Sequence, residues 1–330
     1  MNVVKQPPQV MTKWDKGFLL QLGMILPIVL VCIPSSFSRG TEFLDSPLPT
    51  PVDLVYFIIP FTVISLLRIV LAQNLFLKIA KKVVFVKPDW TKEFTEFRYE
   101  RFGLTFFKFL YYMMIAPLGI YLFRNEDWMP AALFGRGKSD LMLIYENFPY
   151  VPEVKYLSIY YCLELGYHFH SLVFHLCSTP RNDYYDTLLH HVATIFLVVF
   201  SYLNNCGRIG ICVMVLHNIV DAVMYFTKCT NDFKNQIPCD IGFIFLVISY
   251  ARFRLWVFPR YIIYAAFQAY HVIPEGATGG YIVYGLLVGM LCSLLVLHIY
   301  WFSLILDMVK KLFSKKGVVD PHAVKQKTQV

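Results

Sequence analysis

Residues 184–226 read YYDTLLHHVATIFLVVFSYLNNCGRIGICVMVLHNIVDAVMYF. Two apolar runs, about 185 to 202 and 209 to 226, flank the turn-forming Asn204, Asn205, Cys206 and Gly207. Each run is a little under the roughly 20 residues that a bilayer core requires. In hydrocarbon a lone segment satisfies its own backbone only as a helix, so the stretch predicts an antiparallel helical hairpin in a membrane. The runs also carry groups that hydrocarbon does not welcome. Asp186, His190 and His191 open the first, and His217, Asn218 and Asp221 sit inside the second. Ionisable groups at such depth face a partner or a polar cavity, which makes each a functional candidate.

The rest of the chain extends this pattern. Of its 330 residues 57% are apolar, 17% aromatic and only 16% charged, and the mean hydropathy of +0.53 is too high for an ordinary soluble domain. Further apolar runs lie at about 18 to 37, 53 to 72, 103 to 122, 156 to 177, 240 to 258 and 280 to 306. The expected fold is therefore all-α and integral to the membrane, a bundle of about eight transmembrane helices. The first run, after Lys13 and Lys16, also has the outline of a signal peptide, but no small-residue cleavage site follows, and an uncleaved anchor is the preferred reading.

The formal charge of +8 raises nucleic acid as a partner, but the cations cluster beside apolar runs, as membrane orientation predicts, so none is expected. Lys5, Lys13, Lys16, Lys78, Lys81, Lys82, Lys87, Lys92, Arg98, Lys310, Lys311, Lys315 and Lys316 fall on one side of an eight-span chain, which predicts that both termini are cytosolic. Arg124, Arg136 and Lys138 on the other side are offset by acidic neighbours. Trp90, Phe94 and Phe97 in the linker from about 73 to 102 suggest an interfacial helix. The eight cysteines show no paired spacing and read as small core residues.

With that topology the polar residues converge on one depth. Glu164, His168, His170 and His175 in the fourth span, His190 and His191 in the fifth, Asp221 in the sixth and His298 in the eighth predict a central cavity open to the cytosol. Adjacent helical residues are ~100° apart, so His190 and His191 point in different directions. Asp186, one turn before His190, is placed to hold an imidazole tautomer, and Thr194 shares a face with the pair. His217 and Asn218 are each spaced to share a face with Asp221, in a general-base or orienting arrangement. His175 and His298 read as packing residues, and Arg252 and Arg254 either line the lumenal half or snorkel, with snorkelling the preferred reading. The boxes HFHSLVFH and HH lack the spacings of membrane di-iron enzymes, so no metal is expected.

The stretch 181–228 resembles the signature of the ceramide synthases, within the wider TLC-domain family. Supporting similarity lies in ENFPYVPEVKYLSIYYCLELGYHFHSLVF before it, and in RFRLWVFPRYII and LLVLHIYWFSLILDMVKK after it. The resemblance implies residues 97–312 as a six-helix catalytic domain, preceded by residues 1–96 with two helices and a basic linker, and followed by a basic tail, 313–330. It implies an endoplasmic reticulum enzyme that transfers an acyl chain from acyl-CoA, a co-substrate, to the amine of a sphingoid base such as sphinganine, with no bound cofactor. The catalytic residues carry over to His190, His191 and Asp221, with Asn218, His217, His170 and Arg181 toward the substrates. Asn218 stands where the family's LHDxxD pattern has its first aspartate. The implied chemistry is either an acyl-imidazole on one histidine, His190 first, or direct transfer with histidine as base. A homodimer or an accessory subunit is compatible with the pattern. A non-enzymatic TLC-domain lipid sensor or carrier is the rival function.

Overall fold

The computed structural model describes residues 51–137, 140–148, 151, 154–178, 184–273 and 278–313. The run from 18 to 37, Lys138, Arg181 and nearly all of the basic tail lie outside the described residues. The remaining seven runs each form a long helix. These are α1 (Val52–Val83), α2 (Lys92–Phe123), α3 (Leu157–Cys177), α4 (Tyr184–Leu203), α5 (Gly207–Thr230), α6 (Ile237–Val272) and α7 (Thr278–Phe313). Six of them, all but α3, are long and apolar enough to cross a membrane. With 21 residues α3 has the length, but Glu164 and three histidines lower its hydropathy. Among the described residues the only β pairing is an isolated bridge between Val84 and Phe233.

The linker expected over 73 to 102 is mostly helix. α1 continues to Val83 and α2 begins at Lys92, where Thr91 caps it by accepting from the Phe94 N–H at 3.2 Å. The short turn between them is pinned to the α5–α6 turn by Phe85 N–H donating to the Asp232 carbonyl at 2.8 Å, and the start of α2 by the Arg98–Asp232 ion pair. This end of the bundle carries the lysines of the α1–α2 connection.

α5 is the central helix. Ile211, Cys212, Val215, Leu216 and Val220 are fully buried, on more than one face, as expected of a helix surrounded by others. It packs against α2, α4, α6 and α3. Bundles in lipid gain by close van der Waals contact at small residues, and Gly210 shows why. A methyl group there would overlap the Tyr161 hydroxyl, which is held at 3.1 Å from both Ser201 Oγ and the Gly207 carbonyl. The described residues between 124 and 148 fold over the opposite end of the bundle, where Trp128, Met129, Leu133, Ile144 and Tyr145 are buried and Arg208 donates to the Leu143 carbonyl at 2.9 Å. The seven cysteines among the described residues are free thiols.

Within α6, residues Tyr250–Ile263 form a π-helix that contains Pro259. Proline has no N–H to donate, and π turns recur at functional sites. The wider turn puts Tyr250, Arg254, Phe258 and Ile262, four apart, all at 3% exposure or less. We expect Gly210→Ala to cost about 1–3 kcal/mol by overpacking, read as a lowered thermal unfolding midpoint of the purified protein in detergent.

Candidate functional site

A cavity of about 730 Å³ runs along α5 between α2, α4, α6 and α7. That is within the range of small-molecule sites. Its middle is apolar, lined by Leu197, Val198, Val213, Met214, Leu287 and Leu291. Toward the start of α4 and the end of α5 the wall becomes polar, with Lys108, His168, His190, His191, His217, Asn218, Asp221, Lys228 and Arg254. The far end is lined by Asn204 and Asn205 together with Tyr145 and Phe148.

His190 and His191 both line this cavity but have different neighbours. The His190 ring meets Trp301 of α7 edge-on, with centroids 5.3 Å apart, while His191 lies 5.6 Å from His175 of α3. The ~100° between successive helical residues produces this divergence. The Nδ1 atom of each ring is buried and has no hydrogen-bond partner among the described residues. Asp186 does not hold the His190 tautomer, since no hydrogen bond joins them, and Thr194 uses its hydroxyl on the His190 backbone carbonyl at 2.8 Å.

Asp221 is held by Arg254, with 2.6 Å between Nη2 and Oδ1. Arg254 was expected to snorkel at the end of a span from 240 to 258. Instead it is 3% exposed, because α6 runs for 36 residues and places position 254 at mid-helix, away from either end of the span. A carboxylate on the next helix stabilises it there. The Arg254 guanidinium also lies 5.0 Å from the Tyr250 ring centroid.

His217 and Asn218 are engaged elsewhere. His217 Nδ1–H donates to the Val213 carbonyl at 2.7 Å, so its Nε2 accepts from His298 Nε2–H at 3.1 Å. His298 is fully buried and sits behind His217, outside the cavity wall. The Asn218 amide donates to Glu164 Oε1 and, at 3.1 Å, to the Tyr160 hydroxyl. Glu164 has no exposure, and its other oxygen lies 3.6 Å from Nε2 of the cavity-lining His168. An asparagine at 218 thus faces a carboxylate. An aspartate there would oppose two acids in a medium that solvates neither, unless they shared a proton.

His170 does not reach the cavity. It is 3% exposed between α3 and α1, where its Nε2 accepts from Arg68 at 3.4 Å and its Nδ1–H donates to Ser65 Oγ at 2.9 Å. His175 Nε2–H donates to the Tyr184 carbonyl at 2.9 Å and joins α3 to α4. Arg181 falls outside the described residues. The sequence reading missed Lys108, Lys228, Arg254 and Trp301 as cavity residues. The signal was present in Lys108 and Arg254, each a cation inside an apolar run. Among the described residues no group of three His, Cys, Asp or Glu is arranged to hold a metal ion.

The family model described as the TLC domain matches residues 101–307. The chain is 29% identical over 288 residues to Alternaria stem canker resistance protein 1 of Solanum lycopersicum, covering 85% of this chain and 92% of that protein. It is 28% identical over 212 residues to ceramide synthase 5 of Homo sapiens, covering 64% of this chain and 50% of that protein. It is also 28% identical over 214 residues to ceramide synthase LOH2 of Arabidopsis thaliana, covering 64% and 69%. The chain spans about half the length of the human protein.

Two stability predictions follow from the buried pairs. Arg254→Leu leaves Asp221 uncompensated and costs about 3–5 kcal/mol, whereas Asp221→Leu with Arg254→Leu costs less than either alone. Exchanging amide and carboxylate in Glu164→Gln with Asn218→Asp recovers stability that each single change loses, about 1–3 kcal/mol. Thermal unfolding in detergent across both cycles measures these couplings.

Proposed function

The chain belongs to the TLC-domain family of multi-pass membrane proteins, and on that premise we propose that it is a ceramide synthase that transfers an acyl chain from acyl-CoA to a sphingoid amine. The observation that carries this reading is the gathering of His190, His191 and Asp221 at the polar end of one elongated apolar cavity. Acyl transfer between two lipids needs that combination: nucleophile and base at one end, and room for a hydrocarbon chain beyond.

In the proposed sequence the imidazole of His190 attacks the thioester carbonyl. The C–S bond breaks, and CoA leaves as the thiol with the imidazole proton. Splitting the transfer in this way replaces one difficult step by two easier ones. His191, on the neighbouring wall, stabilises the developing oxyanion or positions the thioester. The sphingoid amine then attacks the acyl carbon, forming the amide and returning the proton to the imidazole. Asp221 orients that amine with Oδ2, while Arg254 occupies Oδ1. Arg254 is a positioning residue in this scheme. The apolar stretch from Leu197 to Leu291 receives the acyl chain, whose length the depth of the cavity limits. By the positive-inside rule the lysine-bearing end of the bundle faces the cytosol, which supports a catalytic mouth open to cytosolic acyl-CoA; the endoplasmic reticulum location and the cytosolic N-terminus follow from the ceramide synthase reading and from a first span at 18 to 37.

The decisive experiment is formation of N-acyl product from sphinganine and acyl-CoAs of several lengths by purified protein. His190→Ala and Asp221→Asn are expected to lower the rate at least a hundredfold, with thermal unfolding of each variant separating lost chemistry from lost fold, since Asp221→Asn also leaves Arg254 without its counter-charge. Absence of product from the wild type with every chain length would overturn the assignment in favour of a lipid sensor or carrier. A radiolabelled acyl group that never becomes protein-bound in rapid quench would exclude the acyl-imidazole and leave direct transfer.

A further inference from the structure

Among the described residues four histidines line the cavity, and His168 of α3 is the one without a role in the acyl-transfer steps. Its side chain keeps 13% exposure, while Glu164, one turn earlier on the same helix, has none. The i, i+4 spacing sets the two on one face, with His168 Nε2 3.6 Å from Glu164 Oε2. That separation is within ion-pair range but too long for a hydrogen bond. Among the described residues His168 is the one basic side chain paired with the Glu164 carboxylate.

Acyl transfer to a sphingoid base requires a proton acceptor. An alkyl ammonium carries three protons at neutral pH, and the amide product keeps one. Of the two protons lost, one returns to the His190 imidazole, and the other must leave the ammonium before its lone pair can attack. His190 is committed to the acyl group and His191 to the thioester. His217 uses both ring nitrogens, on the Val213 carbonyl at 2.7 Å and on His298 at 3.1 Å. Asp221 accepts a proton only by leaving Arg254, 2.6 Å away, as an uncompensated buried cation. The other charged groups at this end, Lys108, Lys228 and Arg254, are proton donors. His168 with Glu164 remains, an imidazole with a carboxylate behind it, which is the arrangement of a general base. Asn218 keeps that carboxylate charged, because its amide donates to Oε1, whereas an acid at 218 would compete for the same proton.

We propose that His168, backed by Glu164, is the general base that takes the proton from the sphingoid ammonium, with Glu164 as its positioning residue. This assignment rests on the acyltransferase reading and supplies the acceptor for a proton which that reading leaves unplaced. With Nε2–H turned to Glu164, the lone pair on Nδ1 receives the proton as the ammonium N–H bond breaks. The freed amine lone pair forms the amide C–N bond while the bond from the acyl carbon to His190 breaks. The imidazolium of His168 meets a counter-charge already in place and then passes its proton to water at the cavity mouth.

The test uses the full chain, purified in detergent, with palmitoyl-CoA and two acceptors. One is sphinganine, and the other is O-dodecylhydroxylamine, whose amine is neutral at neutral pH and needs no base to free its lone pair. His168→Gln is expected to lower kcat with sphinganine about a hundredfold and to change kcat with the hydroxylamine less than about threefold. Raising the pH restores the sphinganine rate in this variant, because the amine then loses its proton to water. The exchange Glu164→Gln with Asn218→Asp keeps one amide and one carboxylate in the buried pair but takes the charge from the His168 side. It is expected to unfold near the wild-type temperature and still show the acceptor-dependent loss. An equal loss with both acceptors, a loss in His168→Gln that no pH restores, or full sphinganine activity in the exchanged pair overturns the proposal. If the wild type acylates neither amine, the acyltransferase reading itself fails. If it acylates both and His168→Gln slows them alike, that reading stands and the assignment of His168 fails.

Discussion

The ion pair between Asp221 and Arg254 is the constraint on which the rest of the architecture turns. Neither charge is tolerable alone in the interior of a membrane bundle, so α5 and the middle of α6 must be held face to face. The π-helical stretch Tyr250–Ile263 accomplishes this. Its wide turns bring Tyr250, Arg254 and Phe258 to one side, where Tyr250 also donates to the His298 carbonyl at 3.2 Å and ties in α7. A structural requirement thereby delivers a carboxylate to the wall of the cavity in a fixed orientation. Pre-organisation of this kind is what acyl transfer demands of a base or an orienting group.

The remaining buried polar groups obey the same rule one step further from the cavity. Glu164, without exposure, receives the Asn218 amide on one oxygen and faces His168 across 3.6 Å on the other. His217 is turned by the Val213 carbonyl so that its second nitrogen meets His298. His168 and His217 are thus each backed by a partner, Glu164 and His298, that does not line the cavity. Asn218, the departure from the family's aspartate, joins the cavity wall to this supporting layer. Although it lines the cavity, its amide donates to the Glu164 carboxylate behind the wall, a role that needs no charge of its own, and the second acidic position of the pattern is retained as Asp221.

The cavity is amphipathic along its length because of helix register. Moving from His190 toward Asn204 on α4, and from Lys228 back toward Ile209 on α5, the wall passes from cations and imidazoles through aliphatic side chains to an amide floor. A lipid substrate with a polar reactive end and a hydrocarbon tail has the same order of surfaces. The family model over residues 101–307 covers α3, α4 and α5, most of α2, all of α6 and most of α7. α1 packs on this region from outside it, through Ser65 and Arg68 against His170.

Helix type and membrane class were legible in the sequence, because a bilayer imposes a minimum apolar length and penalises each exception to it. The exceptions therefore stood out one by one, and His190, His191, His217, Asn218 and Asp221 do meet at one cavity. Which exceptions share a wall depends on helix length, tilt and rotation, and these are decided by packing. Arg254 looked like a residue near a span end because α6 was judged shorter than its 36 residues. His170 looked like a member of the polar chamber because depth along α3 could be counted whereas azimuth could not. Glu164 and His298 gave no sign of their partners, which lie 54 and 81 residues away. Sequence alone could say that these charges must be compensated, since that follows from the medium. Only the tertiary structure could say by whom, since pairing across helices depends on how the helices rotate against one another.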